Sequence, residues 1–188
     1  MGTLGAAGTT GATGATGAAG ATGSAGSMGT TGAMGTTGAA GTPAVVAYGY
    51  FFAHMPGDNA ATVAAGGSVQ FPQDGPASGI TRSSASASVF TLPAIGVYEV
   101  SWQVSVNEPG QLVLALDSGA GAVELASTVV GRATGTTQIV GHVLITTTVV
   151  NSTVTLRNPT GNSPALTITP LAGGTAAVTA GLIIKRIS

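Results

Sequence analysis

This sequence lacks cysteine and has few charged residues. The 188-residue chain contains no cysteine, and charged residues make up 6% of it, against roughly a quarter in an average soluble domain. Without thiols, neither a disulfide framework nor a thiolate metal site can form. A net charge of −1 argues against a nucleic-acid partner, which needs a basic patch to neutralise phosphates. No apolar run reaches the about 20 residues of a membrane-spanning helix, so we expect no membrane span.

The residue types that carry catalysis are also few and scattered. The only histidines are His54 and His142, and no serine lies in a Gly-x-Ser-x-Gly nucleophile motif. We therefore expect no enzymatic activity, with no catalytic residue, no cofactor and no metal site. His142 lies in an apolar strand pattern and is interpreted as a packed or hydrogen-bonded structural residue. His54 lies beside a turn, where a metal or catalytic role is the less favoured interpretation.

Glycine, by contrast, is abundant and periodic at the start of the chain. It occupies every third position from Gly2 to Gly41, fourteen times without a miss. A strict Gly-x-y period is the signature of collagen, in which three polyproline-II chains wind together and only glycine fits at the crowded axis. We therefore predict a collagen-like Gly-x-y rod over residues 1–43.

The other positions of the triplets make this rod weak on its own. They hold alanine, threonine, serine and methionine, with Leu4 and Pro43 as exceptions. Proline would pre-set the polyproline-II backbone and reduce the entropy lost on ordering. A flexible linker and a bundle of polyglycine-II helices therefore stay open as alternatives to a triple helix.

Two compensations would stabilise the rod. A trimeric domain after it would raise the local concentration of the three tails, and glycans on threonine would stiffen an extended, solvent-facing backbone. The candidate O-glycosylation sites are Thr13, Thr16, Thr22, Thr30, Thr31, Thr36 and Thr37.

After Pro43 the period of three stops, and residues 44–188 have the chemistry of a β domain. In residues 97–106, Tyr98, Val100 and Trp102 share one face and Glu99 and Ser101 the other, which indicates a half-buried strand. Further strands are predicted at 44–53, 68–71, 88–92, 112–116, 122–130, 136–150, 153–157, 165–169 and 176–187. Turn sequences separate them, among them 73–76 and 158–162. About ten short strands without an amphipathic helix predict an all-β sandwich or jelly roll.

Some of these strands are apolar on both faces, as in residues 112–116 and 143–145. One face would fill the sandwich core, and the other must be covered as well. A second copy of the chain is the simplest cover, and a triple-helical rod demands three chains. The sequence therefore predicts a homotrimer with closed threefold symmetry and an apolar axis.

An aromatic cluster follows the rod directly. Ligand binding is one interpretation of these side chains, but we favour a structural one. They would plug the base of the trimer near its axis and hold three chains in register. The residues are Tyr48, Tyr50, Phe51 and Phe52.

Several stretches of the chain also match a known family. They are Ala47-Tyr48-Gly49-Tyr50, Gly96-Val97-Tyr98-Glu99-Val100, Thr155-Leu156-Arg157-Asn158, Leu171-Ala172-Gly173-Gly174-Thr175 and Leu182-Ile183-Ile184-Lys185-Arg186-Ile187. Together with the threonine-rich triplets, the chain resembles the collagen-like glycoproteins of bacterial spore surfaces, the BclA type. The heads of these proteins are trimeric jelly rolls similar to complement and tumour-necrosis-factor heads.

The resemblance implies a function and a location. The protein would be a structural surface protein, the subunit of a collagen-like filament in the nap of a spore exosporium, with a glycosylated rod and an adhesive role for the head. It would need a surface-anchoring partner. Triplets begin at residue 2, without the leader that anchors such proteins, so the mode of attachment stays open. The alternative is a phage tail-fibre or adhesin tip that binds host glycans.

Two further features of the sequence concern metal binding and N-glycosylation. Some proteins with this type of head bind calcium at the trimer apex, and Asp58, Asp74 or Asp117 would do so only if the threefold symmetry gathered them. Asn151-Ser152-Thr153 matches the N-glycosylation pattern, but we interpret it as a turn.

Overall fold

The computed structural model describes residues 5, 8–35, 38, 41, 45–55, 57–58, 62–162, 165–168, 174–175 and 177–188. These fall into two units, Met1–Ala40 and Gly41–Ser188. The described residues of the first unit form neither helix nor strand, and all are exposed. They include Thr13, Thr16, Thr22, Thr30 and Thr31, whereas the candidate sites Thr36 and Thr37 lie outside the described residues.

The second unit is built from β-strands, with one short 3₁₀ turn at Ala126–Thr128. The strands in chain order are β1 (Ala47–His54), β2 (Thr62–Val63), β3 (Gln73–Ser78), β4 (Thr81–Arg82), β5 (Phe90–Leu92), β6 (Gly96–Val106), β7 (Gly110–Asp117), β8 (Val123–Glu124), β9 (Val130–Arg132), β10 (Thr137–Thr147), β11 (Ser152–Arg157), β12 (Leu166–Thr167) and β13 (Val178–Arg186).

The strands form two main antiparallel sheets. One has the order β10-β6-β13-β1-β3, and the other has the order β4-β5-β11-β7-β8, with β9 also paired to β7. β12 and β2 form a separate pair. The two longest strands, β6 and β10, pair without a bulge from Gly96 opposite Thr147 to Val106 opposite Thr137. This regular register fixes which side chains share a face of the five-stranded sheet.

The core lies between the two sheets. Phe51 of β1 packs against Phe90 of β5 with ring centroids 4.5 Å apart, and Phe71 lies 5.8 Å from Phe90. Tyr98 is also buried, and its hydroxyl donates to the Ala94 carbonyl at 2.7 Å. Alternate residues of each strand thus fill the space between the sheets, as in a β-sandwich.

Most predicted strands are observed with shifted ends. Three predicted strands begin or end at a residue outside the described ones, namely Ala44, Thr169 and Ala176. The strand predicted at 122–130 is interrupted by the 3₁₀ turn. The buried Thr128 hydroxyl explains the interruption, because it accepts a hydrogen bond from the Leu114 N–H and donates to the Leu125 carbonyl.

Two local predictions were wrong. Residues 73–76, predicted as a turn, belong to strand β3. β3 is an edge strand of its sheet, where Pro76 is tolerated because its missing N–H faces away from the ladder. Residues 68–71, predicted as a strand, pair with the sheet only through a bridge between Ser68 and Arg157, and Pro72 has no N–H to extend it.

The prediction that residues 112–116 need a second copy as cover was also wrong. Val113 and Ala115 are each 1% exposed within the single chain. Arg157 lies opposite Val113 on this face, and its long aliphatic stem can shield apolar surface. The second face of β10 differs, because Leu144 is 61% exposed. The argument for a covering copy therefore applies to the five-stranded sheet.

Gly141 offers a test of the core packing. It lies opposite Trp102, and a Cβ added there would overlap the indole ring. Gly141→Ala should therefore lower the free energy of unfolding by about 1–3 kcal/mol, measured by urea unfolding. Gly161→Ala is the control, since a Cβ at Gly161 meets no atom within 4 Å. Equal stability of the two variants would contradict the packing described for Trp102.

Candidate functional site

One face of the five-stranded sheet turns away from the core, and we call it the outward face. Strand register aligns its side chains in rows that cross β1, β13, β6 and β10. The rows are Tyr48-Lys185-Glu99-Leu144, Tyr50-Ile183-Ser101-His142 and Phe52-Gly181-Gln103-Val140. Each strand therefore contributes one column of side chains to this face.

The column on β1 is aromatic, and we call Tyr48, Tyr50 and Phe52 the aromatic column. Tyr50 and Phe52 stack with ring centroids 5.2 Å apart, and Phe52 meets His54 edge-on at 5.0 Å. Phe51 departs from the prediction that placed it with them. It is 1% exposed within its own chain, because neighbouring residues of a strand point to opposite faces. The remaining three are the only members of the predicted cluster whose side chains are open to a partner.

The column on β10 is largely aliphatic, and we call Val140, His142 and Leu144 the β10 column. Val140 is 59% and Leu144 61% exposed. Ile183 of β13 adds a further exposed apolar side chain beside Tyr50. The sequence interpretation placed Leu144 in a stretch, 143–145, whose second face needs cover, but it did not single out Val140 or Ile183. Both faces of residues 139–145 carry apolar side chains, so no alternation of polarity marks which of them turn outward.

Between these columns β6 presents Glu99, Ser101 and Gln103, which we call the polar column. Glu99 Oε1 accepts a hydrogen bond from Lys185 Nζ at 3.0 Å and lies 3.3 Å from His142 Nε2. The hydrogen bond from Lys185 lowers the pKa of Glu99 below its ordinary value, against the smaller opposing effect of burial. His142 has the polar partner that was expected but is not packed, since its side chain is 66% exposed.

The outward face is corrugated. A depression of about 410 Å³ lies between Tyr50, Ile183 and Val140. It is open because Gly181 has no side chain, and a Cβ there would lie 3.6 Å from Gln103 and 3.7 Å from Tyr50. A second depression of about 310 Å³ adjoins Tyr48, and a third of about 400 Å³ adjoins Leu144. Ridges and grooves of side-chain size are the relief that a closely packed protein interface uses.

The three aspartates considered for calcium have separate partners. Asp58 accepts from the His54 N–H at 2.8 Å, Asp74 forms an ion pair with Arg82 at 2.8 Å, and Asp117 accepts from the Gly119 N–H at 2.7 Å. Within the described ranges, no three histidine, aspartate or glutamate side chains are grouped closely enough to hold a metal ion. A calcium site between chains stays the less favoured interpretation, since the sequence analysis expects no metal site.

Of the motif predicted as a turn, Asn151 lies in a turn, whereas Ser152 and Thr153 begin strand β11. Asn151 has a left-handed backbone with φ of 56°, a conformation that asparagine adopts more readily than most residues. Its N–H donates to the Pro93 carbonyl at 3.4 Å. The turn joins β10 to β11 and positions both strands.

A polar cavity of about 500 Å³ lies away from the outward face, between Gln111, Arg132 and Asn162. Arg132 Nη2 donates to the carbonyls of Val106 at 3.0 Å and Glu108 at 2.6 Å. The guanidinium therefore braces the loop between β6 and β7. Its function here is structural.

Comparison with known proteins supports both units. Residues 1–46 match the family profile of the collagen triple helix repeat (20 copies). The structure of Eiger TNF from S. frugiperda aligns with a TM-score of 0.52 at 11% identity, over 75% of this chain and 92% of that chain. Murine APRIL at pH 8.0 aligns with a TM-score of 0.50 at 12% identity, over 74% and 98%.

The globular domain of zebrafish complement 1qA protein aligns with a TM-score of 0.48 at 12% identity, over 74% of this chain and 94% of that chain. No curated protein sequence matches the chain. Among the described residues, no helix is long and apolar enough to cross a membrane. The predicted architecture is confirmed: an all-β head with the jelly-roll fold of the Eiger TNF and APRIL structures follows a collagen-like Gly-x-y segment.

The Glu99 pair gives a pH-dependent prediction. A carboxylate whose pKa in the folded state lies below its ordinary value of 4.5 stabilises the fold above that pH, and this stabilisation is lost as the pH falls through the folded-state pKa. Glu99→Gln should therefore lower the free energy of unfolding by about 0.5 kcal/mol near pH 7 and leave it unchanged near pH 2. Lys185→Gln removes the same pair and should show the same pH dependence. A cost that is equal at both pH values would refute the assignment.

Proposed function

We propose that the protein is the subunit of a homotrimeric collagen-like surface filament, in which the head trimerises and aligns the rod. The observation that carries this proposal is that glycine occupies every third position from Gly2 to Gly41 without a break. Glycine at every third residue is required where three polyproline-II chains share one axis. A flexible linker has no physical reason to keep this period.

The outward face supports the trimer, because its exposed apolar side chains need to be covered and its charged side chains can be buried as a pair. Exposed apolar side chains on three of its strands would favour aggregation if they stayed in water. Its formal charges are Glu99 and Lys185, which already form an ion pair. Covering the face would therefore leave neither charge without its partner, which is the arrangement that burial of ions requires.

The head would also supply the stability that the rod lacks. With Pro43 as the one proline of its triplets, the rod has little pre-set polyproline-II backbone. A trimeric head holds three tails at an effective concentration on the order of millimolar. Triple-helix formation then no longer depends on the encounter of three free chains.

We place the filament on an extracellular surface, in the nap of a spore exosporium. The support for this location is the resemblance of a threonine-rich collagen-like rod and its jelly-roll head to spore-surface glycoproteins. Exposed threonines of the rod, such as Thr13, Thr16 and Thr22, would carry O-glycans that hydrate an uncharged filament. A surface-anchoring protein is the expected partner. The head would also touch surface glycans in an adhesive role.

Tyr50→Glu tests the coupling of head and rod. A carboxylate on the aromatic column would be buried without a partner in the trimer, so the full-length variant should sediment as a monomer while keeping the β-sheet circular dichroism of the head. It should also lose any collagen-type signal of the unmodified chain. Val123→Glu, which alters an exposed valine of β8, should leave the trimer intact. A monomeric unmodified chain at micromolar concentration would overturn the proposed function.

The location has its own test. Immunogold labelling of intact spores with an antibody to the head should mark the outermost layer, and mass spectrometry of the extracted protein should find hexose-type additions on peptides that contain Thr13 and Thr16. Labelling confined to the spore interior, or unmodified threonines throughout, would contradict the surface role.

A further inference from the structure

The chain has one type of side chain that can be oxidised reversibly. It contains no cysteine but four methionines, and methionine sulfoxide can be reduced again by methionine sulfoxide reductases. Met1 lies outside the described residues, and the other three methionines are Met28, Met34 and Met55. Reversible oxidation of the described part of the chain therefore depends on these three thioethers.

The three thioethers differ in their exposure to solvent. Met28 is 97% and Met34 98% exposed, whereas Met55 is 5% exposed and belongs to the core of the head. The Met55 N–H also donates to the Ala177 carbonyl at 3.2 Å, which ties this residue to the folded head. Because an oxidant has to reach the sulfur atom, the fold protects Met55 and leaves Met28 and Met34 open to attack.

The sequence around Met28 and Met34 contains no side chain that could cover them. All the other residues from 5 to 42 are glycine, alanine, serine or threonine. Both methionines occupy the third position of their triplets, Gly26-Ser27-Met28 and Gly32-Ala33-Met34. In a triple helix only glycine fits at the axis, so this position faces solvent. The two thioethers are therefore accessible in a single chain and stay accessible in the proposed trimer.

We propose that Met28 and Met34 are the sites at which this protein takes up oxygen from hydroperoxides, so that the rod is modified and the head is spared. Each sulfur gives an electron pair to one peroxide oxygen, and the O–O bond breaks. The other oxygen leaves with the proton of the transferred one, as water from hydrogen peroxide or as an alcohol from an organic hydroperoxide. The thioether is oxidised to the sulfoxide and the peroxide is reduced, so no further reactant is needed.

Oxidation changes the surface of the rod without adding charge. A sulfoxide is polar where the thioether was apolar, and Met28 and Met34 are the largest apolar side chains between residues 5 and 42. Their conversion leaves only small or polar side chains on this part of the rod. The glycines that the triple-helix axis requires are not altered, so the assembly should persist.

The test treats the full-length protein with hydrogen peroxide and follows each methionine over time. Elastase cleaves after alanine, so cleavage after Ala25 and Ala33 places Met28 and Met34 on separate peptides. Mass spectrometry then measures the gain of one oxygen atom at each methionine. The control variant is Met28→Leu with Met34→Leu, which keeps apolar side chains but removes both sulfurs. Sedimentation of the same samples before and after oxidation reports the assembly.

The expected result is that Met28 and Met34 gain oxygen about as fast as free methionine and at least about tenfold faster than Met55. Unfolding the head in urea should remove the protection of Met55, and methionine sulfoxide reductases should reverse the gain at Met28 and Met34. The control variant should take up correspondingly less oxygen, with the rate at Met55 unchanged.

Two results would overturn the assignment. One is oxidation of Met55 in the folded protein as fast as that of Met28 and Met34. The other is a rod in which both methionines are protected about tenfold relative to free methionine. A sample that sediments as a monomer but is oxidised at Met28 and Met34 as expected would overturn the proposed trimer and leave this assignment standing.

Discussion

Glycine at every third residue is the constraint on which the rest of this molecule depends. It leaves about a third of the first forty residues without a side chain, and the ordered structure that requires this period is one shared by several chains. The remaining triplet positions, filled by alanine and threonine, add little stability of their own. In the proposed trimer, the domain that follows would meet the requirement for three chains. Its core lies within a single chain, and a further apolar surface lies outside that core.

In the head, the alternation of side chains along each strand separates the residues that form the core from the residues that are available for association. Along β1, Phe51 enters the sandwich core against Phe90, while Tyr50 and Phe52 lie on the opposite face. The same alternation puts Trp102 inside and Glu99 outside on β6. The core between the sheets is filled by residues of one chain, and the outward face lies outside it. The outward face is thus free to serve association, with the Glu99–Lys185 pair neutralising its charges.

Much of the fold could be predicted from particular residues of the sequence. The glycine period predicted the rod, and alternation in 97–106 predicted β6. Alternation along β1 separates Phe51 from Tyr50 and Phe52, but which of the two faces lies in the core became clear only from the packing of Phe51 against Phe90. Pro76 suggested a turn because only sheet order shows that β3 lies at an edge. The cover of Val113 by its own chain, and the exposure of Leu144, likewise depend on contacts between residues far apart in sequence.

Native mass spectrometry of the unglycosylated protein measures how many chains the assembly contains, without any substitution. A trimer has a mass of about 54 kDa, three times the 17.9 kDa of one chain, and this species should dominate at micromolar concentration. A spectrum dominated by the 17.9 kDa monomer, or by an even-numbered assembly, would contradict the proposal that the head gathers three rods.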